Sequence, residues 1–115
     1  MTDVDGIYAV YITGSFGSNV GVIVMNNGEL YGADLGGGIY DGYYTPIKKG
    51  IEVDLKLKIK EGNITVTGIP ITQDSHIPMH IILPYDFYER DYVSLDTEIG
   101  ELNARFVLLR KLGGK

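Results

Sequence analysis

Residues 51 to 60 constrain this chain more than any other segment. Ile51, Val53, Leu55, Leu57 and Ile59 alternate without a break with Glu52, Asp54, Lys56, Lys58 and Lys60. Successive side chains of an extended strand point to opposite faces, so a strict period of two gathers five apolar groups on one side and five charges on the other. On a helix the same residues would scatter around the axis. The segment is predicted to be a strand with one face in a core and one in water, and it needs other strands beside it.

Those partners are legible along the chain. Asn27-Gly28 is the dipeptide of a type I′ turn, in which both central residues need positive φ. It predicts a hairpin pairing 20–25 with 29–33. Residues 6–12 are β-branched and aromatic and form a first strand, followed by a loop over 13–19. Asp34, Leu35 and three glycines lead to a short strand at 39–44, and residues 46–50 read as the next turn, with Pro46 pre-setting φ. A turn over 61–63 enters a shorter strand at 64–68. Pro70 and Pro78 predict an irregular stretch, because proline is excluded from central strands. Strands at 79–83, 92–97 and 103–109 complete the set, with a loop or helical turn at 85–91. No window sustains a 3.6-residue apolar period, so no long helix is expected.

A run of seven or eight strands joined by short turns, in one domain spanning 1–115, makes an antiparallel sandwich or barrel. Sixteen glycines, spread mostly singly among nine tyrosines, suit tight turns and strongly bent strands. Residues 7–12, 20–25 and 106–109 are apolar on both faces, where a lone sheet exposes one polar face. That surplus favours a meandering barrel that dimerises, with outward positions such as Ile23 and Val107 in the contact.

The net charge of −5 and a pI near 4.8 disfavour a phosphate-backbone partner, so no nucleic acid is expected. The absence of cysteine removes disulfides and thiolate metal sites. No run approaches the ~20 apolar residues of a membrane helix. The opening residues carry acids rather than bases ahead of an apolar stretch, unlike a secretory signal, so no membrane and a cytoplasmic location are expected. His76 and His80 are four apart, but Pro78 between them breaks any helix that would align them as ligands. Residues 73–76 contain Asp, Ser and His without the setting of a nucleophile, and residues 36–38 lack the Lys-Ser/Thr of a phosphate loop. Glu52 and Asp54 lie on the water face of their strand, poor ground for a general acid. Catalytic residues, cofactor and metal are each expected to be none.

Several features arrive in a recognisable order. Asp5-Gly6-Ile7-Tyr8 opens the domain. Gly21, Gly28, Gly32 and Asp34 follow at the spacing G-x6-G-x3-G-x-D, and Tyr40-Asp41-Gly42-Tyr43-Tyr44 continues it. This pattern resembles the GrlR family, founded on a negative regulator of type III secretion gene expression. The resemblance implies an eight-stranded lipocalin-like barrel, a homodimer and no catalytic activity, acting by sequestering a transcriptional activator. One departure matters: the turn corresponding to an acidic, partner-binding run in that regulator reads Thr-Pro-Ile-Lys-Lys-Gly at 45–50. Within the matching motif, Asp5 and Asp34 are either turn caps or hydrogen-bond anchors at a pocket mouth. Tyr8, Tyr11, Tyr31, Tyr40, Tyr43 and Tyr44 either fill the barrel or serve an interface. The expected function is a regulatory module that binds a protein partner. The alternative is a carrier of a small apolar ligand, which an eight-stranded barrel can just hold.

Overall fold

The computed structural model describes residues 4–113. Eight strands account for most of it: β1 (Gly6–Thr13), β2 (Ser18–Asn26), β3 (Glu29–Asp34), β4 (Ile39–Ile47), β5 (Gly50–Ile59), β6 (Ser75–Leu83), β7 (Val93–Thr97) and β8 (Gly100–Lys111). They form one antiparallel sheet in the order β6-β5-β4-β3-β2-β1-β8-β7. Because β1 pairs with β8, the meander curls into a nearly closed barrel. The seam left between β6 and β7 brings the two strands together without a ladder. The only helical piece among the described residues is one 3₁₀ turn, Phe87–Glu89.

The local chemistry explains the curl. Asn27 and Gly28 take φ of 52° and 86°, and the turn sets Met25 opposite Leu30 and Asn26 opposite Glu29. Gly32 and Gly42 stand where neighbouring strands press in most closely. A Cβ on either would come within 2.1 Å of a backbone oxygen, on Val22 or on Asp54. Only glycine lets β3 and β4 coil this tightly, the role of a strand glycine at a barrel corner. The alternating strand behaves as its period requires: Ile51, Val53 and Leu57 are buried, and Leu55 and Ile59 pack partly buried against the same core.

Four expectations need correction. Pro46 lies within β4, opposite Ile51, and only Lys48-Lys49 turn the chain. Residues 64–68 do not form a strand. They belong to a compact loop with a single bridge, Ile64 to Pro70, held by Gly62 N–H to Ile71 O and Ile71 N–H to Asn63 O. The irregular stretch ends early, since β6 begins at Ser75 and includes Pro78. Finally, Ile23 points inward: β2 pairs it with Tyr8, and both are buried. The two faces of β2 are equally apolar, so alternation alone could not say which was inner.

The barrel has two unlike ends. One carries the β2–β3 hairpin, the β4–β5 turn and the 3₁₀ turn. There Phe87, at 0 % exposure, packs edge-on to Phe106 and Tyr88 and tilted against Tyr8. Tyr8 donates its hydroxyl to Val4 O at 2.5 Å. At the other end the loop of residues 60–74 lies across the opening. It is fastened there by Phe16 and Gly17 N–H, both donating to Val66 O, and by the Thr67 hydroxyl bonded to Ile99 O.

Candidate functional site

The loop-covered end leaves a cavity of about 140 Å³ inside the barrel. Its wall is apolar: Ile23, Leu57, Met79, Ile81, Leu102 and Phe106 come from four different strands. Val66 descends from the covering loop, and Asn63 and Thr65 complete that side. The cavity reaches the surface beside Gly36, which both lines it and is exposed.

Three polar side chains stand at this lip. Asp34 ends β3 facing inward. Its Oδ1 accepts the Gly38 N–H at 2.9 Å, and its Oδ2 accepts the hydroxyl of Tyr40. It is therefore both a turn cap and a pocket-mouth anchor. Burial pushes the half-buried Tyr40 hydroxyl well above the ordinary tyrosine pKa, and the adjoining Asp34 carboxylate pushes the same way. Asn19 on β2 accepts its neighbour's N–H, that of Val20, through Oδ1 and turns Nδ2 toward Gly36. The three glycines after Asp34 fit this crowding. A Cβ on Gly38 would sit 2.7 Å from Asp34 Oδ2, and one on Gly36 would sit 3.1 Å from Asn19 Nδ2.

Asp5 makes the counterpart pair at the far end. It accepts the Tyr44 hydroxyl and the Asn27 N–H, tying the start of β1 to the hairpin turn. Burial, then the bond to Asp5, raises the Tyr44 pKa, and a backbone bond at Gly28 opposes them. This is a structural tie between the first strand and the hairpin.

Of the remaining candidates, Tyr8 belongs to the closed-end core and reaches neither the outer face nor the cavity lining. Ile23 lines the cavity. Tyr11, Tyr31, Tyr43 and Val107 face outward, the tyrosines exposed and Val107 half-buried. The ladders place Val107, Ala9, Val22, Ala33 and Ile39 side by side in one row across five strands. The next row runs Arg110, Ile7, Val24, Tyr31, Asp41. Val22, at the centre, is 45 % exposed, and Tyr31, Ile39 and Leu109 are similarly open.

One further group was out of sight in the sequence. Pairing of β5 with β6 sets His80 opposite Asp54, and His80 Nε2 meets Glu52 Oε2 at 2.8 Å. Donor atoms of Glu52, Asp54 and His80 lie within 4.8 Å of one another, close enough to share a cation. Across the seam, Glu98 accepts the His80 backbone N–H at 3.2 Å and 3.3 Å. The Glu52 bond raises the histidine pKa most, desolvation opposes it, and the charges of Asp54, Glu52 and Glu98 add to the rise. The group sits in water on the outside of the barrel and latches the seam. Among the described residues no helix is long and apolar enough to cross a membrane.

No model of a known protein family matches the chain, and no curated protein matches it either.

Proposed function

We propose that this chain is a non-enzymatic binding module that works through protein contact, pairing with a second copy of itself across the outer face of β8, β1, β2, β3 and β4. The observation that carries the reading is the unbroken apolar row from Val107 through Val22 to Ile39. Water penalises such surface by roughly 25 cal/mol per Å², and contiguous patches beyond a few hundred Å² mark interaction sites. A second copy suits the charges as well. The neighbouring row begins at Arg110 and ends at Asp41, so a twofold axis near Val24 would set each copy's arginine toward the other's aspartate. The pair would act as a regulator that engages a protein partner of the transcriptional-regulator kind, as the family resemblance implies. The basic 45–50 turn leaves that partner's identity open.

Sedimentation velocity at micromolar concentration tests the pairing. The wild type is expected to run as a dimer burying at least about 1,000 Å², and Val22→Lys as a folded monomer. A monomeric wild type would overturn the reading. A second reading, favoured by the lined cavity, is a carrier of a small apolar ligand. An engineered apolar cavity of about 150 Å³ in another protein stays dry and binds benzene.

A further inference from the structure

We propose that Glu52, Asp54 and His80 form a surface site for one divalent transition-metal ion of the zinc class, on the outer wall of β5 and β6. The site lies outside the five strands of the proposed pairing face and does not depend on that pairing.

Strand register builds it. Glu52 and Asp54 stand two apart on β5, so both project from its water face. The ladder sets His80 of β6 directly opposite Asp54. Side chains opposite one another on an antiparallel pair start about 4.5–5.5 Å apart at Cβ. Two paired strands therefore deliver three donors to one patch without help from a loop. The proline that rules out a helical pairing of His76 with His80 is no obstacle here, because the partners of His80 come from β5. The three donor atoms already lie within 4.8 Å of one another, and His80 Nε2 is 2.8 Å from Glu52 Oε2. A tetrahedral ion with bonds near 2.1 Å needs about 3.4 Å between donors. Rotation of the side chains supplies the difference, since Asp54 and His80 are exposed and Glu52 is half-buried.

Charge favours a cation at this patch. A third carboxylate, Glu98, is held beside it on the His80 N–H. Among the described residues no lysine or arginine forms an ion pair with Glu52, Asp54 or Glu98. The positive charge they meet is the proton that His80 shares with Glu52, and a metal ion can take that proton's place. The donor set then selects the ion. An imidazole nitrogen with carboxylate oxygens suits zinc, copper and nickel. Calcium takes about 6–8 oxygens, more than two carboxylates offer. Three protein ligands leave the fourth position of a tetrahedral ion to water.

Isothermal titration calorimetry of the untagged, chelator-stripped protein with zinc chloride tests this. The wild type is expected to bind one zinc ion per chain and to show no heat with calcium or magnesium at the same concentrations. His80→Gln, Asp54→Asn and Glu52→Gln should each weaken zinc at least about ten-fold, the smallest loss typical of even an outer-sphere partner. His76→Gln, exposed on the same strand, should leave zinc binding unchanged. Zinc should also raise the melting temperature of the wild type and of His76→Gln but not of His80→Gln, because an ion held by the folded state stabilises it. The metal-free melting temperature of each variant shows that it folds, and all four substitutions lie on the solvent face. Zinc binding that survives His80→Gln, or that falls equally in His76→Gln, overturns the site. So does calcium binding as tight as zinc, or no zinc binding at a hundred-micromolar concentration.

Discussion

The two ends of the barrel use the same pair of side chains and reach opposite results. At one, Tyr44 donates to Asp5; at the other, Tyr40 donates to Asp34. The Asp5 end is packed solid. Tyr8, Phe87, Met25 and Ile51, among the largest fully buried side chains, fill the interior there from the wall and from the 3₁₀ turn. The Asp34 end is covered by a loop fastened mainly through backbone hydrogen bonds, with Val66 packed partly buried against the core. A Tyr–Asp pair thus decides nothing by itself. What covers the barrel beside it decides whether the pair is a clamp or the rim of a cavity.

The largest expected effect tests the packed end. Phe87→Ala should cost about 3–5 kcal/mol in urea unfolding, the range for deleting a fully buried aromatic ring. A loss below that range would mean the ring covers the end without holding it. Leu55→Ala tests the open end. Leu55 is partly buried beside a cavity that already exists, so its loss should fall near the low end of the leucine range, about 2 kcal/mol. Lys56→Ala, next door on the water face, should stay within about 0.5 kcal/mol.

Substituting each tyrosine of the two pairs compares them directly. Tyr44→Phe leaves a carboxylate short of one donor at the closed end and should cost about 1.5 kcal/mol; Tyr40→Phe does the same to Asp34 and should cost about as much. Both hydroxyls have pKa values raised by burial, so the folded state favours their protonated form. Their contribution is present in full below the unfolded value of about 10 and is lost as pH rises beyond it. In a spectrophotometric titration these two tyrosines should ionise above the ordinary tyrosine range, and the double Phe variant should lose amplitude there. The smallest effect belongs to the seam. The raised pKa of His80 means that its contribution is full below about 6.5 and fades as pH climbs through the folded value. Melting temperature should therefore fall slightly toward pH 8 in the wild type and stay flat in His80→Gln.

What was legible in the sequence was whatever a few neighbouring residues decide. The Asn27-Gly28 hairpin and the 51–60 strand depend on φ preference and a period of two, and the barrel class follows from their repetition. The face of Ile23 was not legible, because Val20, Val22 and Val24 offer the alternate face the same apolar character, and only pairing with Tyr8 resolves the inner side. The 60–74 loop was hidden because its order comes from Phe16 and Gly17, some fifty residues away. Of the lip, Asp34 stood out through its motif, and three glycines after an acid were the available signal for the rest. Asn19 gave none, because its part depends on the approach of the β3–β4 loop.

Pro78 has a consequence for how this protein keeps to itself. Backbone groups alternate sides along an antiparallel strand, and His80, two residues on, sends its N–H across the seam to Glu98. Pro78 therefore turns its donor-less nitrogen to the same side. A strand edge with free donors is a template on which another chain can add and an assembly can grow without limit. Here one donor on that edge is deleted by the pyrrolidine ring and the next is occupied by a carboxylate. The seam between β6 and β7 is thereby a poor place for fibril growth to begin, and Pro78→Ala should turn a quiet edge into a sticky one, visible as faster aggregation under conditions that leave the wild type clear.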